Sequence, residues 1–146
     1  MSTRIQRSLL NLDPWTFDQT SNGWRSLQGE DAVRAIEAYL SAYLRDGKWV
    51  EAPTGEKQLD PPIVFWHMGQ LLACAGHTAA AIPWMQMSFS SGLDLEWDAY
   101  VLATIAFLER DKQAFDGHAS GTNYNRPTLD RLVNNWGKTY NEAYSG

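Results

Sequence analysis

His67, Cys74 and His77 come nearest, by type and spacing, to a reactive or metal-binding group in this chain. His67 and Cys74 are seven residues apart and would share one face of a helix. Both are zinc-ligand types, but His77 lies beyond the turn-forming Gly76, and neither a second cysteine nor a nearby acid completes a tetrahedron. As a nucleophile, Cys74 would need His67 or His77 as base and an oxyanion donor. A mid-helix cysteine also lacks the helix-start position that lowers a thiol pKa. Asp94, Glu96 and Asp98 resemble paired carboxylates, yet acids ahead of an apolar run are what the positive end of a helix attracts. No Gly-rich phosphate loop precedes a helix. The expectation is therefore a protein that is not an enzyme and holds no metal or cofactor.

The elements that position these residues read as helices. Asp13-Pro14 is a good N-cap and first-turn pair and predicts a helix over 13–27. Ala32, Ile36, Tyr39, Leu40, Tyr43 and Leu44 recur at helical spacing until Asp46-Gly47. The stretch 47–62 is rich in Pro, Gly and charge, without periodicity, and reads as a surface loop. Pro61-Pro62 opens a helix through Ala75, and Gly76 ends it. A partner runs over 77–89 with Pro83 in its first two turns. A further pair is expected over 94–108 and on to about 118. Helices over 127–137 and 138–144 then close the chain. Strand signals are nearly absent, so the expected class is all-α.

Composition narrows the function. At 146 residues, 44% hydrophobic and 20% charged, the chain is expected to form a single domain, 1–146, with a real core. Net charge is −5, and the 12 basic residues are scattered, which argues against a nucleic-acid partner. No apolar run reaches the roughly 20 residues that span a bilayer, so no membrane partner is expected. Arg4 and Arg7 are followed only by Ser8-Leu9-Leu10, unlike a signal peptide. Cys74 is the only cysteine, which fits a reduced, cytoplasmic setting. Seven Trp, six Tyr and five Phe exceed what a minimal helical core needs.

A repeat organises these elements. In the stretch 65–85, Gly69 and Ala81 are small residues twelve apart, with Gly76 turning between them and Met85 four further on. This resembles the tetratricopeptide repeat, in which a small residue on each helix allows close approach and a large one fills the groove alongside. The same frame fits Gly23, Ala35, Tyr39 and Ala42 upstream. Ala103 lies 34 residues after Gly69, the family's own period. The first repeat lacks the usual Trp and Leu, and the third places Phe115 where a small residue belongs. The stretches 97–111 and 140–144 are similar to the ends of small bacterial tetratricopeptide-like proteins of unassigned role. The resemblance implies stacked antiparallel helical hairpins in a right-handed α-solenoid, with repeats at about 13–46, 61–90 and 94–118 and a C-terminal cap at 127–145.

In such arrays the first helices line a concave face. Carried onto this chain, that face includes Trp24, Trp66, Gln70, Trp97, Tyr100 and Thr104. None of these is Lys, Arg or Asn, so a carboxylate clamp is not implied. An apolar or aromatic anchor of a polypeptide partner suits the surface better. The competing reading is that Val133, Trp136, Tyr140 and Tyr144 fold over this face and turn it into core. The resemblance thus implies a non-catalytic protein-interaction module. An inhibitor or immunity-type protein masking a toxin or enzyme is the alternative, and a small-ligand binder or enzyme using an aromatic pocket is a third.

Overall fold

A computed structural model describes residues 8–146. Arg4 and Arg7, on which the leader argument rests, lie outside the described residues. The described chain is mostly helical: α1 (Pro14–Gln19), α2 (Gly29–Tyr43), α3 (Pro61–Cys74), α4 (Thr78–Gln86), α5 (Leu95–Glu109), α6 (Lys112–Ala119), α7 (Arg126–Asn134) and α8 (Tyr140–Ser145). A 3-10 turn, Trp24–Ser26, and two strands of two residues each, β1 (Leu44–Arg45) and β2 (Lys48–Trp49), complete it. The chain divides into two compact units, Met1–Val64 and Phe65–Gly146, the second beginning within α3.

In the first unit, Asp13 caps α1 by accepting from the Thr16 amide, as the Asp-Pro pair leads one to expect. The helix expected over 13–27 nevertheless stops at Gln19. Thr20 turns extended, and Ser21-Asn22-Gly23 are poor helix formers that leave the chain free to fold back. A Cβ on Gly23 would lie 1.8 Å from the Phe17 carbonyl oxygen. Glycine is therefore required there by that fold-back and not as the midpoint of a repeat helix. Helix α2 turns Ala32, Ala35, Ile36, Tyr39 and Leu40 inward. Tyr39 stacks on Phe17 at 4.0 Å between centroids, and its hydroxyl donates to the Leu12 carbonyl.

The short ribbon is the departure from an all-helical expectation. Asp46 and Gly47 both take positive φ, 51° and 76°. That is what a two-residue Asp-Gly hairpin turn requires. Leu44 pairs with Trp49 and Arg45 with Lys48. The dipeptide that marks the end of α2 thus also returns the chain, and Trp49 is anchored by donating its indole N–H to the Leu59 carbonyl.

In the second unit, α3 and α4 approach closely. A Cβ on Gly69 would stand 2.6 Å from Met85 Cγ and 3.2 Å from the Ala81 carbonyl oxygen. Pro83 lies inside α4 at its second turn, as expected from its place in the sequence. Helix α5 is central, packing against α4, α6 and α7. It begins on Asp94, whose side chain accepts from the Trp97 amide, and ends at Arg110 in the left-handed region. Helices α7 and α8 pack together and are shorter than expected, Asn135 to Thr139 forming the bend between them. A capping box of Thr139 and Glu142 starts α8 and holds the Glu142 carboxyl below its usual range.

Candidate functional site

Of the six residues carried over to a binding face, Trp24 belongs to the first unit. Its ring is buried, and its indole N–H donates to Asp18 Oδ1 at 2.8 Å. Asp18 is itself fully buried, accepts from Gln19 Nε2 at 2.7 Å, and gives its backbone carbonyl to Arg25 Nε. The Arg25 guanidinium lies 4.5 Å over the Trp24 ring. This is a satisfied buried polar knot. Nothing in the hydrophobic pattern of 13–27 marks Asp18 as buried.

The other five residues lie in the second unit. Trp66 comes from α3, and Trp97 and Tyr100 from the first turns of α5. Their rings form one cluster: Trp66 to Trp97 5.1 Å, Trp66 to Tyr100 5.3 Å, and Trp97 to Tyr100 5.7 Å between centroids. Tyr124, from the loop before α7, closes it against Trp97 at 5.2 Å and Tyr100 at 5.5 Å. Trp66 is 5%, Tyr100 1% and Thr104 0% exposed, while Trp97 and Gln70 are half-buried. Trp97 donates its indole N–H to the Ser88 carbonyl at 2.9 Å, and Thr104 returns its hydroxyl to the Tyr100 carbonyl of its own helix. Such back-bonding satisfies a buried threonine without any ligand.

The polar edge of the cluster faces the C-terminal helices. Asn125, in a left-handed conformation before α7, donates to the Tyr100 hydroxyl at 3.0 Å. Gln70 donates to the Tyr140 hydroxyl at 3.3 Å. Burial pushes Tyr100 up to about 12 and Tyr140 well above the ordinary phenol value. Both phenols are therefore neutral hydrogen-bonding groups at physiological pH, not bases. Burial likewise raises the Cys74 thiol, which disfavours the thiolate a nucleophile or metal ligand needs. Among the described residues, no three His, Cys, Asp or Glu side chains are grouped to hold a metal ion.

Two anchors of this arrangement lie outside the hydrophobic pattern of the sequence. Arg110, past the end of α5, donates to the carbonyls of Trp136 at 2.5 Å and Lys138 at 2.6 Å, tying the bend between α7 and α8 to α5. Trp136 then sits edge-on to Phe107 at 5.1 Å and Phe115 at 5.2 Å. At the other end of α5, Glu96 accepts from the Asn123 amide at 3.0 Å, and its backbone carbonyl accepts from the Thr122 hydroxyl at 2.8 Å. The Asx and Thr composition of the loop 121–126 is the only sequence signal of that latch.

No family model matches the chain, and neither a curated protein nor a solved structure matches it. No helix among the described residues is long and apolar enough to cross a membrane.

Proposed function

We propose that the chain is a divergent tetratricopeptide-like protein, of the kind found as small bacterial proteins, that acts without catalysis as a polypeptide-binding module in the cytoplasm. The observation that carries this reading is the lock between α3 and α4, where Gly69 meets the Ala81 carbonyl and Met85. Small, small and large residues in that frame are the family's means of joining two helices of a repeat, and such hairpins serve as rigid supports for peptide recognition. Burial of Trp66, Tyr100 and Thr104 moves recognition from the aromatic face to another face of the helices.

A second reading, a dedicated inhibitor or immunity-type protein, draws support from charge. No Lys or Arg occurs between Lys57 and Arg110, while acids do, a distribution suited to masking one basic partner. Affinity purification from the source cell with mass spectrometry tests both readings. A stoichiometric polypeptide partner is expected. Weak binding to several peptides supports the module, and a single, very tight, salt-sensitive complex with one basic protein supports the inhibitor. Recovery of a small molecule with no polypeptide contradicts both.

A further inference from the structure

Two leucines of the second unit, two residues apart, face solvent. Leu93 is 92% and Leu95 73% exposed, on either side of Asp94, the N-cap of α5. Leu102, two turns along α5 from Leu95, is also exposed and extends the same helix face. A single exposed leucine is ordinary, but two so exposed within three residues of a fixed turn are not.

The turn is fixed by hydrogen bonds. Asp98 accepts from the Ser90 amide and hydroxyl, each at 2.8 Å, and from the Gly92 amide at 3.3 Å. The Asp94 amide donates back to the Ser90 hydroxyl at 2.8 Å. Ser91 and Gly92 carry the reversal at φ 57° and 85°. The leucines are thus presented in one geometry before any partner arrives, which lowers the ordering cost of binding.

Along the sequence on either side of them, charge has one sign. From Phe65 to Glu109 the second unit contains no Lys or Arg, and Asp94, Glu96 and Asp98 surround the two leucines in sequence. The hydrogen bonds to Asp98 and to the Glu96 carboxylate come from neutral amides and a hydroxyl, so the negative charge is retained. An anionic membrane would be repelled by this rim. A second copy of the chain would bring the same acids against one another.

We propose that Leu93 and Leu95, rimmed by Asp94, Glu96 and Asp98, dock a basic amphipathic helix of a partner polypeptide, its apolar residues on the leucines and its lysines or arginines on the acids. The proposal rests on the polypeptide-binding reading above and names its surface and partner chemistry.

The probe is a synthetic helical peptide with leucines at i, i+3, i+4 and i+7 and lysines elsewhere, titrated by fluorescence anisotropy into the full chain. A leucine–glutamate peptide of identical pattern serves as comparison. The leucine–lysine peptide is expected to bind, to shift the methyl NMR signals of Leu93 and Leu95, and to weaken with added salt. The leucine–glutamate peptide is expected not to bind. The double variant Leu93→Ser/Leu95→Ser retains every charge, and both positions are exposed, so folding is preserved. It is expected to bind at least tenfold more weakly. Equal affinity of the double variant overturns the proposal, since charge alone would then account for binding. So does a dimer abolished by the same substitutions, or binding to anionic vesicles through this face. If the surface fails while affinity purification still returns a polypeptide, the module reading stands and only this docking face falls.

Discussion

Gly69 on α3 lies so near Met85 on α4 that a Cβ added to it would stand 2.6 Å from the methionine Cγ, with Ala81 O at 3.2 Å and Met85 N at 3.3 Å. Helix propensity alone would make Gly69→Ala stabilising by about 0.8–1 kcal/mol. Overpacking against two backbone atoms and a core side chain costs about 1–3 kcal/mol, so the steric term wins. The expected result is a net loss of stability in urea unfolding. In a Met85→Ala background the side-chain obstacle is gone, and the same substitution is expected to become neutral or stabilising.

The knot around Asp18 makes a separate prediction for the first unit. Trp24→Phe preserves most of the ring volume and removes the indole donor to a fully buried carboxyl oxygen. Loss of a donor to a buried acceptor costs on the order of 1–3 kcal/mol. Thermal unfolding by circular dichroism is expected to show that loss, and Trp24→Phe in an Asp18→Ala background is expected to cost less than in the wild type.

Alkaline pH probes the second unit. Tyr100 is raised to about 12, first by burial, and Tyr140 is raised by burial as well. In the unfolded chain both ionise near 10, so the unfolded state loses protons first and is favoured as pH rises. The stability held by these phenols is complete below pH 10, and the part held by Tyr100 is lost between about pH 10 and 12. Tyr100 alone withdraws on the order of 2–3 kcal/mol across that window. Guanidinium midpoints at a series of pH values are expected to fall above pH 10, and Tyr100→Phe is expected to make that fall shallower.

Arg110 joins a backbone requirement to a side-chain one. Its φ of 60° favours glycine, yet its guanidinium holds the Trp136 and Lys138 carbonyls and covers the Phe107 ring at 4.5 Å. Because the side chain is exposed, Arg110→Ala is expected to cost only about 1 kcal/mol globally. Its local effect is larger: hydrogen exchange is expected to quicken in 126–145, where α7 and α8 lose their tie. Arg110→Gly relieves the backbone but not the tie, so it restores global stability without restoring slow exchange.

Much of the helical layout was legible because its signals are local. The apolar period from Ala32 to Leu44 places α2, and Asp94 marks the start of α5 to within one residue. Gly69, Ala81 and Met85 were legible as a packing frame, since only a small residue fits there. Tertiary demands were not legible. Gly23 looked like a helix midpoint because its type suits one, but it is needed for the approach to Phe17. Asp46-Gly47 reads equally as a helix end and as a hairpin turn, and the pairing of Leu44 with Trp49 decides between them. For the aromatic face, periodicity could say which residues share a side of α5, but not whether Tyr124, Asn125 and Tyr140 would close over it. That depends on the Arg110 and Glu96 ties at the two ends of the helix.

The aromatic cluster of the second unit is spent on packing. Trp66→Ala tests this claim most directly, followed by far-UV circular dichroism through a thermal melt. A buried tryptophan truncated to alanine costs about 3–5 kcal/mol, so the melting temperature is expected to fall by roughly 10 °C or more. A variant that keeps the wild-type melting temperature and full helical signal would contradict the claim and return Trp66 to an open binding surface.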